Sequence, residues 1–249
     1  MSSPIVLITR AKKDSEELVD DVTRLGAKTL ISPMLEIQFC EGKELNFSNI
    51  QGILFTSSNG VRALNSRLSN LQKISSIPVF AVGEATATAA KNIGFTSINI
   101  ANGNVDSLAK KTSKILSPDK GELIHIAAHD LAGNLAGKLK NRGFCVKTEK
   151  LYRANQVTEI DKQTLGALRR GLVKFVLFFS PRTTRTFVKL IKDINYTNSL
   201  VNIEAICLSD AVAIEANSLR WQKVLVSQEP TKAKLLHYLD KRIAILRDG

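Results

Sequence analysis

The chain has 249 residues, 44% apolar and 23% charged, which is enough for one large hydrophobic core or two ordinary ones. A formal net charge of +12 directs attention to anionic partners, although lysines spread over solvated faces give the same sum. No apolar run is long enough for a membrane span, and the Ile5–Ile8 run is too short for a secretory core, so a cytoplasmic protein with no membrane partner is expected.

Short apolar runs alternate with helical patterns along the whole chain. Ile5–Thr9 reads as a strand. Asp14, with Glu17 three residues on, fits a capping box for a helix through Leu18, Val22 and Leu25 that Gly26 closes. Strand Lys28–Ser32 follows, and then Met34–Phe39, which alternates polar and apolar residues. Strand Ile53–Ser57 precedes a helix carrying Val61, Leu64, Leu68 and Leu71. Strand Val79–Gly83 precedes a helix closed by Gly94, and strands Ser97–Ala101 and Leu123–Ala127 come next. Gly143 closes the helix before strand Val146–Tyr152, and Leu151–Val157 again alternates. Phe175–Ser180, Ala205–Ser209 and Lys223–Ser227 complete the strands, and a helix through Leu235, Leu236, Leu239 and Ile243 ends the chain. Nearly continuous apolar strands are those of a parallel sheet covered on both faces.

A repeat organises these elements. ILFTSSNGVRAL at 53–64 is matched by VLFFSPRTTRTF at 176–187, and VFAVGEATAT at 79–88 by ICLSDAVAIE at 206–215. The second copy ends two strands short, and LITR and LISP at the N-terminus supply them. The expected fold is α/β: two doubly wound five-stranded parallel-sheet domains joined by a two-stranded linker. One domain is discontinuous, 1–35 and 154–249, and the other, 40–150, is inserted, with 36–39 and 151–153 as hinge linkers. Two consecutive domains splitting near Lys120 are the alternative that so weak a repeat leaves open.

Several chemistries find no motif. There is no GxGxxG and no GxSxG. GNLAGK at 133–138 is one residue short of a phosphate loop, lacks Ser or Thr after its lysine and lies in a helical pattern. Cys40, Cys145 and Cys207 form no CxxC and lie near no His at ligand spacing, so buried thiols are expected rather than a disulfide or a metal. His125, in an apolar strand, reads as a core residue, and His129 and His237 stand apart from any ligand pattern. An aromatic content of 6%, with no zinc knuckle or aromatic RNA-binding strand, weakens a nucleic-acid reading.

What remains is a set of hydroxyls at strand ends: Thr9, Ser32, Thr56, Ser57, Ser58, Ser180 and Ser209, with Arg10, Arg62, Arg153, Arg182 and Arg185 beside them. Ligands of doubly wound sheets bind at carboxyl strand ends, where helix N–H groups and dipoles attract anions. N-capping alone accounts for any one of these residues. A shared anion-binding cleft between two domains accounts for the set.

The segments VLITR, ILFTSSNGV, VFAVGEATATAAKNIGF, LIHIAAHDLAGNLAGKLKNRGF with KLYRA, and VLFFSPRTTRTF, in this order, resemble those of the uroporphyrinogen-III synthase family. The resemblance implies two five-stranded domains on a flexible two-stranded linker. It also implies a cofactor-free, dehydrating cyclisation of hydroxymethylbilane, and a monomer is expected. It marks Tyr152, in KLYRA, as the proton donor. It adds Gly83, Glu84, Thr86, Ala128, His129, Pro181 and Asp210 to the substrate contacts. The chain departs from the family where Ala11 stands for a usual Pro, Ala128–His129 for Arg-Gly, and Ser209–Val212 for Gly-Pro-Thr-Thr. A polyanion-binding module without catalysis is the alternative, and a nucleic-acid binder the third reading.

Overall fold

The computed structural model describes residues 3–131 and 133–248; Met1, Ser2, Ala132 and Gly249, which fall within the expected domain ranges, lie outside the described residues. The chain forms two compact units, one from 1–36 with 155–249 and one from 37–154.

The first unit holds a five-stranded sheet of β1 (Ile5–Ile8), β2 (Lys28–Ile31), β9 (Val173–Phe178), β10 (Glu204–Cys207) and β11 (Lys223–Val226). Their order is β11-β10-β9-β1-β2 and every pair is parallel. Alternate side chains pack on opposite faces. Leu7, Val176, Phe178 and Cys207 join one cluster with Phe187, Ile191 and Trp221. Val6, Ile8, Leu177 and Ile206 join another with Leu18, Val22, Leu235, Leu239 and Ile243. Burial of both faces is why these strands read as unbroken apolar runs, at about 1.5–3 kcal/mol for each large side chain removed from water. The helices are α1 (Lys12–Arg24), α6 (Lys162–Arg169), α7 (Pro181–Asp193), α8 (Asp210–Ala216) and α9 (Lys232–Asp248).

The second unit holds β3 (Leu35–Phe39), β4 (Ile50–Phe55), β5 (Val79–Ala81), β6 (Ile98–Ile100), β7 (Glu122–Ala128) and β8 (Val146–Gln156), in the order β3-β8-β7-β4-β5-β6. From β8 to β6 the pairing is parallel. Its helices are α2 (Ser58–Asn65), α3 (Glu84–Ile93), α4 (Val105–Ile115) and α5 (Leu135–Lys140). Ile53, Phe55 and Ile124 pack with α2 and α3 on one face, and Leu54, Phe80 and Leu123 pack with α4 and α5 on the other.

Four expectations need correction. The second sheet has six strands, not five, because the linker segment becomes β3 and pairs with the long β8. Hydrogen bonds from Cys40 N–H to Leu151 C=O (2.8 Å) and from Val157 N–H to Met34 C=O (3.3 Å) show the two segments running in opposite directions. Asp14 is not a cap: α1 starts earlier, with Ala11 at its N-cap, and Asp14 pairs instead with Arg10. Helix α2 stops at Asn65, so Leu68 and Leu71 lie past it, though both still pack on the core. The thiols are not uniformly buried: Cys207 is, Cys40 is half-buried and Cys145 is exposed. Burial pushes the Cys207 thiol up to about 12. Cys145 lies at the entrance to β8, where a hydrogen bond to the Glu122 carboxylate raises its pKa.

Gly26, Gly94 and Gly143 have φ of 79°, 113° and 86°, the left-handed turn that closes a helix at low cost only with glycine.

Candidate functional site

In each sheet the strand order reverses once. In the first unit the chain goes from β1 outward to β2, and from β9 outward to β10 and β11, so the reversal lies between β1 and β9. In the second it lies between β4 and β7. The crevice beyond the carboxyl ends at such a point is where doubly wound sheets take ligands.

At the first reversal, Thr9–Arg10 follows β1 and Phe179–Arg182 follows β9. The Arg10 guanidinium sits 4.7 Å from the centroid of the Phe179 ring and 3.1 Å from the Asp14 carboxylate. Stacking and ion pair together hold the fork of donors in place. Ser180 caps α7: its hydroxyl accepts from the Thr183 N–H at 3.2 Å, and Pro181 occupies the first turn, where its missing N–H costs nothing. Arg182 is half-buried. Ser209 precedes α8 and its side chain makes no cap hydrogen bond, while Asp210 is exposed.

Two expected contacts in the first unit turn inward. Thr9 is fully buried and its hydroxyl donates to the Leu177 carbonyl at 2.9 Å, bridging β1 and β9. Ser32 is 2% exposed and donates to Asp161 at 2.8 Å, while Asp161 caps α6 by accepting from the Thr164 N–H. Burial pushes the Asp161 pKa up, but the hydrogen bonds from Thr164 and Ser32 outweigh it and hold the carboxyl below its ordinary range. Val212, where the family pattern has a hydroxyl, faces the apolar core at 1% exposure.

At the second reversal, Thr56–Ser57–Ser58 follows β4 and Ala128–His129 follows β7. Ser57 caps α2 by accepting from the Asn59 N–H at 3.2 Å. Ser58 is buried; Thr56, Ala128 and His129 are partly exposed. The His129 N–H donates to the Tyr152 carbonyl at 2.8 Å, which ties this turn to β8. Gly83 and Glu84 open α3 beside them, with Glu84 exposed and Thr86 buried. Tyr152 is 5% exposed and packs with Leu151, Phe55 and Val61.

The other arginines are less centrally placed. Arg62 holds the Asn59 side chain at 2.9 Å, Arg185 forms a two-point pair with Glu215 on α8, and Arg153 is exposed on β8. Sequence reasoning missed three partners: Asp14 and Phe179 around Arg10, and His125, whose Nε2 lies 3.5 Å from the Thr56 hydroxyl. The signal for His125 was a lone polar residue in the apolar strand LIHIAA.

Two cavities lie away from these residues. One of about 400 Å³ is lined by Asn102, Lys110, Lys111 and Lys114, and one of about 510 Å³ by Phe47, Leu68, Ile74 and Ile77. Among the described residues no cluster of His, Cys, Asp or Glu is arranged to hold a metal ion, and no helix is long and apolar enough to cross a membrane.

Two doubly wound sheets, parallel except for the edge strand β3 and each reversing beside a serine-capped helix, α7 in one and α2 in the other, define a two-unit α/β protein with donor-rich strand ends. A family model described as Uroporphyrinogen-III synthase HemD matches residues 16–237, and the chain belongs to the uroporphyrinogen-III synthase family. It is 25% identical over 265 residues to the porphyrin biosynthesis protein HemD of Ruminiclostridium josui, covering 96% of this chain and 48% of that protein. The chain thus spans about half the length of this curated relative. Its fold is similar to the crystal structure of uroporphyrinogen-III synthetase from Helicobacter pylori, with a TM-score of 0.62 at 18% identity over 96% of this chain and 99% of the other. It is also similar to that of a mutant uroporphyrinogen III synthase from Thermus thermophilus, with a TM-score of 0.54 at 16% identity over 99% of this chain and all of the other.

Proposed function

We propose that this chain is a cyclising hydro-lyase that converts the linear tetrapyrrole hydroxymethylbilane to uroporphyrinogen III, losing water and inverting the last pyrrole ring. The observation that carries this reading is the family match across residues 16–237. The strand ends support it, because a substrate with many carboxylates suits N–H, hydroxyl and guanidinium donors.

Loss of the terminal hydroxyl leaves an azafulvenium-type electrophile. The substituted carbon of the last ring attacks it, a spiro intermediate forms, reopens, and closes with that ring turned over. Spontaneous closure gives the symmetric type I isomer, so the protein's main contribution is to fold and orient the chain of rings. Thr56, Ser57, Ser180, Arg10 and Arg182, with the N–H groups opening α2 and α7, would hold the carboxylates. Tyr152 would give a proton or hydrogen bond to the departing hydroxyl, since a phenol stays neutral at pH 7. The reading includes a cytoplasmic monomer that needs no cofactor, nucleic acid or membrane. It treats 1–35 with 154–249 and 40–150 as separate domains, linked by 36–39 and 151–153.

Incubation with hydroxymethylbilane tests it. The type III isomer is expected in excess over the spontaneous product, with activity unchanged after exhaustive chelation, and type I alone would reject it. The near-complete burial of Tyr152, 5% exposed, favours a second reading, a polyanion-binding module without catalysis. That module would bind the substrate and still release only type I.

A further inference from the structure

We infer that His125 is a positioning residue: its Nε2–H donates to Thr56 Oγ1 and so turns the Thr56 proton outward, toward a carboxylate of the substrate. This rests on the function proposed above and adds to it a residue that the family resemblance did not mark.

The first support is placement. Leu54 of β4 and His125 of β7 are register partners, and Leu54 and Leu123 line the face packed by α4 and α5. With side chains alternating along a strand, His125 and Thr56 emerge on that same face, at the reversal of strand order. The second is distance. Nε2 and Oγ1 are 3.5 Å apart, long for a hydrogen bond, and hydrogen bonds at reacting centres are often long in the free protein and tighten when a ligand arrives.

The third is protonation chemistry. His125 is 3% exposed, and burial lowers its pKa to about 4. At neutral pH the imidazole is therefore uncharged, with one N–H and one acceptor nitrogen. It has neither the charge nor the exposure to take a carboxylate itself. Thr56 is partly exposed and has a single hydrogen to give. If Nε2 carries the ring proton, Oγ1 accepts it and the Thr56 hydrogen is released for the substrate, polarised by the bond behind it. If Nδ1 carried it, Thr56 would donate inward and show only lone pairs to an anion. The tautomer of one buried ring thus decides whether Thr56 attracts or repels a carboxylate.

Nitrogen chemical shifts of ¹⁵N-histidine-labelled protein at neutral pH read the tautomer directly. Nε2–H is expected, and Nδ1–H overturns the inference. This measurement uses the unaltered protein, so it decides even where a substitution at so buried a site unfolds the chain. In the isomer assay, His125→Phe should raise KM by about threefold to tenfold, the range of one ordinary hydrogen bond, with the loss falling on KM rather than kcat. His125→Gln, whose amide N–H can replace Nε2–H, should recover most of it. Adding Thr56→Val to His125→Phe should cost nothing beyond Thr56→Val alone. An unchanged KM in His125→Phe, no recovery in His125→Gln, or additive losses in the double variant each overturn it. Wild-type protein that gives only type I rejects the proposed function first, and the substrate role of Thr56 with it.

Discussion

Thr9 and Thr56 occupy equivalent places, one residue beyond a central strand, yet the fold uses them differently. Thr9 donates to Leu177 at 2.9 Å and has no exposed surface, so it belongs to the sheet. Thr9→Val should lower stability by about 1–3 kcal/mol, the cost of leaving a buried carbonyl unpaired, and leave KM unmoved; urea unfolding beside the isomer assay checks both. His125 links charge to stability. Burial holds its folded pKa at about 4, below the ordinary 6.5. Between these values the unfolded chain binds the additional proton, so the stabilisation is complete above about 6.5, declines as pH falls, and is gone below about 4. The amount is about 3 kcal/mol, and urea midpoints from neutral to acid pH should fall less steeply in His125→Gln than in the unaltered protein. Tyr152 tests the chemistry itself. Under the proposed mechanism Tyr152→Phe should lower turnover by about a hundredfold or more while substrate binding and melting temperature hold. Full turnover in that variant would leave catalysis to substrate folding alone.

Among elements, α9 is tied to the sheet by a buried pair. Glu204, at the start of β10, is 3% exposed and accepts two hydrogen bonds from Arg242 of α9, one of them at 2.7 Å. Arg242→Met strands a buried carboxylate and should cost about 3–5 kcal/mol in urea unfolding, whereas Glu204→Leu with Arg242→Met should restore much of that loss. The ten strands expected from apolar runs are all present, and the inner ones, such as β4, β7, β9 and β10, carry their signature in their own composition because they are buried on both faces. The sixth strand of the second sheet was harder to assign. Residues 35–39 alternate, as a hinge or an edge strand would, and only the partner β8, more than a hundred residues away, makes them part of a sheet. The start of α1 departs from its sequence signal for a local reason, an ion pair across four residues. Asp14 fits a capping box by spacing, but Arg10 draws its carboxylate into an ion pair.

Over the whole molecule the charge is +12, and that has a kinetic consequence. If the ligand is a polycarboxylate, KM should rise steadily with salt as the attraction is screened, with little change in kcat. A salt-independent KM would mean that short hydrogen bonds, not the long-range field, capture it. Period and composition are local, so the amino-acid sequence by itself determined the α/β class, ten of the eleven strands and the helix-closing glycines. Order and direction are not local. The positions of the two reversals, and the facing of each hydroxyl, depend on which strand lies alongside. Thr9 and Leu177 are 168 residues apart, and Thr56 and His125 are 69. A hydroxyl at a strand end looks the same in sequence whether it closes the sheet or meets a ligand. Only the packed neighbour decides, because a buried polar atom must find its partner inside the protein and an exposed one need not.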